Sequence, residues 1–360
     1  MPTLTSHLRP SWATPSLQAV CAAALMAALA PASWAATAVA TPNADGEVIP
    51  ADEPAAIAAV TNSIKASVQA GFDKNGHAYR DAHRKAHGCV QARFTVLGKL
   101  PAKLAQGLFA TPRSYDAVVR FSNGSGSSQD DHSPDGRGMA VKVLGVSGPK
   151  LLDDEPNAST QDFLMINHPV FFVRNASDYV AFQKNTVSFL LTHLHEAGII
   201  IAIGAHSMTN PLNARYWSMV PYKLGTEQMK YSARPCAGGT FYDQSNSADR
   251  LRENLTGQLA SGSACFDFMV QTRTAPADMP IEDPTIEWKE ASSPFVPVAR
   301  IDIPAQTPEG AEACEIRSFT PWHSIAEHRP LGGISRVRKT VYQTISTLRH
   351  QLNGQPRVEP

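Results

Sequence analysis

The chain has 360 residues, of which 43% are hydrophobic and 18% charged, enough for one large domain or two ordinary ones around a sizeable core. Lysine and arginine number 32, as do aspartate and glutamate, so there is no basic excess for nucleic acid and no acidic excess of the kind that keeps a chain disordered. The 27 prolines point to a loop-rich body with many strand ends.

The N-terminus reads as a targeting segment. Arg9 precedes the apolar run LQAVCAAALMAALAP at 17–31, and the small-residue stretch ASWAA follows. That is the order of a secretory signal peptide, with cleavage expected after or close to Ala35. The run is shorter than the ~20 residues a membrane span needs, so no stable membrane anchor is expected. The protein is expected to be exported to the periplasm, and Cys21 would leave with the signal.

Residues 36–53 are small, polar and proline-containing, and read as a flexible leader. Residues 54–350 read as a single domain and 351–360 as a polar tail. The domain opens with an amphipathic helix at 54–72. Short β-prone runs follow at 89–97, 117–122, 139–146, 162–166, 227–233, 265–273 and 298–303. Several alternate apolar and polar residues, as half-buried strands do. A helical stretch interrupts them at 176–206, and another closes the domain. Many strands with helices attached predict an α+β fold, a closed antiparallel β-barrel with flanking helices. Cys89, Cys236, Cys265 and Cys314 form no CxxC motif. Export permits three disulfide pairings among them, while β-rich surroundings favour buried free thiols, the reading preferred here.

Four segments carry candidate chemistry. RDAHRKAHGCVQARFTV (80–96) places Arg80 three residues before His83, with His87 four residues later. Residues 117–143 place Arg120 and Ser122 at a strand end and Arg137-Gly138 at the start of the next strand. Residues 162–182 contain Asn167, Phe171, Tyr179 and Phe182. The closing helix carries Arg338, Tyr342 and Arg349 at helical spacings of four and seven, beside the apolar stripe Val341, Ile345 and Leu348. Alone, this is an amphipathic surface helix with solvated arginines. Alternatively the tyrosine stands between fixed positive charges, which favour a phenolate, and a phenolate is a hard iron ligand. The THLHE run at 192–196 could suggest a metal site, but spacing of two on a helix points its histidines apart. QDDHSPD at 129–135 lacks EF-hand spacing and reads as a solvated loop.

Together, in this order, the four segments resemble the haem catalases. The matching patterns are Arg80-x-x-His83, Arg120-Phe-Ser122, Asp135-Gly-Arg137-Gly-x-Ala-Val-Lys142, Pro169-x-Phe171-Phe172-x-Arg174 and Arg338-x-x-x-Tyr342 with Arg349. The short chain is most similar to the small catalase-related peroxidases. The resemblance implies a catalase-like barrel with a C-terminal haem-ligand helix and haem b as cofactor. Tyr342 would be the iron ligand, kept anionic by Arg338. Arg80, Arg120 and Arg349 would bind the haem propionates. His83 would be the acid–base residue oriented by Ser122, and Phe171, Tyr179 and Phe182 would wall the pocket. His83 is preferred to His87 because it keeps the offset from Arg80. The family places an asparagine pair before its T-P-x-F-F; here those positions are Ile166 and Asn167. Either Asn167 shifts into the pocket as a catalytic residue or the pocket lacks that amide.

The expected partners are a peroxide and a small reductant, with oligomers allowed. The readings kept beside peroxidase activity are a lipid-hydroperoxide-rearranging haem enzyme and a non-enzymatic haem-binding protein.

Overall fold

The computed structural model describes residues 41–239 and 241–356, so the expected signal segment lies outside the described residues. Helix α1 (Glu53–Asn75) is followed by strands β1 (Ala86–Val96), β2 (Ser114–Asn123), β3 (Arg137–Leu144) and β4 (Thr160–Ile166). Helices α2 (Ala176–Lys184), α3 (Thr186–Thr192) and α4 (Leu194–Ala205) lead to β5 (Tyr216–Trp217), β6 (Tyr222–Leu224) and β7 (Glu227–Pro235). Helix α5 (Arg250–Ser261) precedes β8 (Ala264–Thr272) and β9 (Val296–Ile303), and α6 (Ala311–Ile316) and α7 (Gly333–Leu352) close the chain. The strands pair in the order β5-β4-β3-β2-β1-β9-β8-β7, and β5 pairs back onto β7. The result is a closed eight-stranded antiparallel barrel, with β6 added beside β7. It is the α+β closed antiparallel barrel with flanking helices that the strand pattern predicts.

Closure follows from the period-2 alternation of the strands. On β1, β2 and β4, Phe94, Val119, Phe121 and Phe163 point inward and are buried. Phe94, Phe163 and Phe268 pack together inside the barrel, with ring centroids 4.7–5.9 Å apart. The opposite parity of β2–β4 faces outward. Register then builds two rungs on that outer face: Ser122–Gly138–Ile166 and Arg120–Ala140–Leu164. These rungs are one wall of the site.

Helix α7 lies beside α1. Val337 and Ile345 bury against Val60, Ile64 and Val68, joined by Val341 and Leu348, the apolar stripe read from the sequence. The N-terminus of α7 is anchored by acids, as a helix dipole favours. Glu47 and Glu282 accept from the backbone N–H groups of Gly332 and Gly333 at 2.9 and 2.8 Å. Both also pair with Arg336, together with Glu53. Among the described residues of the expected flexible leader, Asp45 and Glu47 are pinned by ion pairs to Arg329.

The cysteines correct the sequence reading. Cys89 bonds Cys314 and Cys236 bonds Cys265. The barrel brings together positions 225 residues apart in the first pair, which no sequence spacing reveals. The sequence reading also missed β5, β6, α5 and α6, all short or strongly polar. The loop at 129–135 is structural as well as solvated. Asp131 is buried and pairs with Lys85 at 2.8 Å, and Asp135 accepts from the N–H groups of Gly124 and Ser125 at 3.0 Å.

Candidate functional site

A cavity of about 340 Å³ lies between the outer face of β2–β4 and α7. Its lining brings together Arg80, His83, Arg120, Ser122, Arg338, Tyr342 and Arg349 from segments spread over most of the domain. Phe171 and Tyr179 line it too.

His83 sits in the loop between α1 and β1, with φ +58°, a left-handed backbone uncommon for a side chain with a Cβ. Its N–H donates to the Gly124 carbonyl at 2.9 Å, and its own carbonyl accepts from Arg120 Nη2 at 2.8 Å. Two partners thus hold the residue in an unfavourable conformation, as at many functional sites. Its ring Nδ1 lies 3.1 Å from Ser122 Oγ. Gly138 makes room for the ring: a Cβ there would stand 2.6 Å from His83 Nδ1 and 2.8 Å from Ser122 Oγ. Burial, reinforced by the nearby Arg120 charge, lowers the His83 pKa to about 4. The imidazole is therefore neutral at ordinary pH. His87 belongs to β1 and not to a helix. It is buried and bonded to Asn123 Oδ1 at 3.0 Å, and it does not line the cavity.

Helix α7 presents Tyr342 with Arg338 Nη2 at 3.5 Å from its hydroxyl. Arg338 is 7% exposed. Burial opposes its charge, but the phenols of Tyr342, Tyr222 and Tyr231 outweigh this and hold its pKa above the ordinary arginine value. Tyr222 and Tyr231 pack against each other at a tilt, with ring centroids 4.7 Å apart. Burial pushes the Tyr222 and Tyr231 hydroxyls up in pKa, so both are neutral.

The three other arginines gather on Glu315, near the end of α6. Arg80 Nε is 3.1 Å from one carboxylate oxygen, which Arg120 Nη2 approaches to 3.6 Å, and Arg349 Nη1 is 3.3 Å from the other. Burial raises the Glu315 pKa, but Arg80, Arg120 and Arg349 outweigh burial and lower it overall. Burial and the neighbouring Arg80 lower Arg120 to about 9, which leaves it charged at neutral pH.

Two expected residues stand elsewhere. Asn167 does not reach into the cavity: its Oδ1 accepts from the Arg137 N–H at 2.7 Å, and Ile166 lines the wall instead. The backbone explains this. Ile166 completes the rung with Gly138 on the outer face, so the next residue must turn the other way. Phe182 forms a layer behind the wall, packing on Phe172 at 5.0 Å, and Phe172 lines the cavity in its place. In the THLHE run, His193 stacks on Phe189 and Glu196 is buried against Arg174 at 3.4 Å.

Solved structures with the same fold are catalases. A fungal catalase is 19% identical, with a TM-score of 0.63 over 80% of this chain and 63% of that one. Catalase A from Saccharomyces cerevisiae is 18% identical, with a TM-score of 0.62 over 89% and 70% of the two chains. A bacterial catalase is 17% identical, with a TM-score of 0.61 over 90% and 67%. The chain thus spans just under two thirds of the fungal enzyme's length. No protein-family model matches the sequence, and no curated protein does. At these identities the likeness shows a catalase-like fold.

Proposed function

We propose that this protein is an exported haem-dependent peroxidase, of the small catalase-related kind, that reduces hydrogen peroxide or small organic peroxides with electrons from a small reductant. The observation that carries the reading is one cavity lined by a tyrosine beside a buried arginine, a histidine oriented by a serine, and three further arginines. The donor set suits haem b. Arg120 Nε and Arg338 Nη1 are buried without a hydrogen-bond partner, and both residues line the cavity. Such orphans are costly unless an anionic ligand satisfies them. Tyr342 would hold the iron, with the Arg338 guanidinium beside its oxygen. Arg80, Arg120 and Arg349 would hold the propionates through charge-assisted hydrogen bonds. Haem, when bound, supplies a redox-active iron able to cleave the O–O bond of a peroxide.

The chain's own residues would manage the proton. With His83 Nδ1–H donating to Ser122 Oγ, Nε2 keeps its lone pair. A neutral imidazole there takes the proton from one peroxide oxygen and returns it to the other, so that water leaves. The wall residue Ile166 offers no amide to grip a second peroxide, which favours a reductant-driven cycle over oxygen release.

The test is to titrate the purified protein with hemin and follow the Soret band, then add peroxide. A ferric spectrum that Tyr342→Phe greatly weakens is expected. Full haem retention with an unchanged spectrum in that variant would refute the ligand assignment. Export is checked by mass spectrometry of protein from its native host. The expected mature start lies between about residues 33 and 42, and an intact Met1 in the major species would reject it.

A further inference from the structure

Glu315 remains unexplained by that reading. It touches Arg80, Arg120 and Arg349, yet it does not line the cavity that all three line. It therefore contacts the arginines away from the cavity surface. Its main chain takes part as well: the Glu315 carbonyl accepts from Arg80 Nη2 at 3.0 Å and from Arg349 Nη1. Carbonyls near a helix end lack partners within the helix, which leaves this one free to bind guanidinium groups. The neighbouring Cys314 is joined to Cys89 of β1, and Cys89 stands opposite Arg120 in the β1–β2 register. One disulfide thus ties the backbone next to Glu315 to β1, the strand paired with the one that carries Arg120.

We infer that Glu315 is a positioning residue that organises Arg80, Arg120 and Arg349 into a preformed site for a ligand carrying two carboxylates. Three guanidinium charges in one buried place repel one another, and flexible arginines would splay apart. One carboxylate behind them offsets that repulsion and fixes the direction of each fork. Three guanidinium forks along one cavity suit a ligand with paired carboxylates better than one with a single carboxylate. The same array reaches His83, because Arg120 Nη2 holds the His83 carbonyl at 2.8 Å. In assigning the two carboxylates to haem propionates, the inference rests on the haem reading above.

The experiment compares hemin with hemin dimethyl ester, which lacks both propionate charges. Each is titrated into the apoprotein of wild type and of Glu315→Gln, with the Soret band as readout. Hydrogen bonds between charged groups predict that wild type prefers hemin by roughly 10–100-fold. Glu315→Gln should lose most of that preference, by weaker binding of hemin with ester affinity nearly unchanged. A variant that keeps the preference, or binds hemin more tightly, overturns the inference while leaving the haem reading intact. A wild type that takes up neither compound overturns both. Should Glu315→Gln fail to fold by circular dichroism, Glu315→Asp carries the test. Its shorter side chain cannot span Arg80 and Arg349 together, so a wild-type preference in that variant also overturns the inference.

Discussion

The two principal walls of the cavity are built in opposite ways. Helix α7 supplies Arg338, Tyr342 and Arg349 from one continuous element, and the helical repeat alone sets their mutual positions. The other wall takes His83 from a loop, Ser122 from β2, Gly138 from β3 and Ile166 from β4. Its geometry rests on strand register and on one strained backbone. The helical wall should therefore tolerate change around its functional residues, because α7 is held by its own stripe and its acid-anchored N-terminus. The composite wall has little slack, since its histidine touches a glycine where not even a methyl group fits.

The largest effect is expected from removing His83, the base that the proposed function places on the composite wall. His83→Ala should retain haem and lose about 10²–10⁴ of the rate of peroxide consumption, the usual worth of a positioned acid–base group. His87→Ala should cost stability and little rate. If His87→Ala proves the crippled variant, the assignment of the cavity histidine is wrong.

Ile166→Asn sharpens the comparison in the opposite direction, by adding an amide to that wall. One well-placed hydrogen bond in a dry site is worth roughly 10²–10³ in rate. Oxygen release should rise relative to dye oxidation, towards that limit. An unchanged ratio would mean that Ile166 does not face the reacting peroxide.

Gly138→Ala should act through the histidine. The new methyl group would meet the His83 ring and the Ser122 hydroxyl at 2.6–2.8 Å. Overpacking of this kind costs about 1–3 kcal/mol. Thermal unfolding should move down accordingly, and the rate should fall while haem is retained. Equal stability and rate would show that the ring lies elsewhere. A substitution on the exposed side of α7, such as Thr340→Ala, should change neither quantity measurably.

The smallest effect is a displaced pH profile. As the proposed base, His83 would act only when neutral, and burial lowers its pKa from 6.5 to about 4. The rate should therefore hold from neutral pH down to about pH 5 and halve near pH 4. An ordinary histidine would halve it near 6.5. An inflection at 6.5 in the pH–rate profile would show that His83 is solvated and not buried against Arg120.

Wherever a local repeat carries the information, the sequence by itself determined the outcome. The alternation of β1–β4 and β7–β9 specified a barrel, and the spacing of Arg338, Tyr342 and Arg349 specified one helical face. The Arg80–His83 offset, read from the resemblance to haem catalases and not from a repeat, marked a segment that does reach the cavity. Only the tertiary structure decided the rest. Register placed Ile166 on the wall and turned Asn167 toward Arg137, because successive strand residues face opposite sides. Barrel closure paired Cys89 with Cys314 across 225 residues. The same closure carried Glu315, on a six-residue helix with no pattern of its own, to three arginines from distant segments. Such contacts leave no mark in a single chain read along its length, because the forces that select them act between residues that are neighbours only after folding.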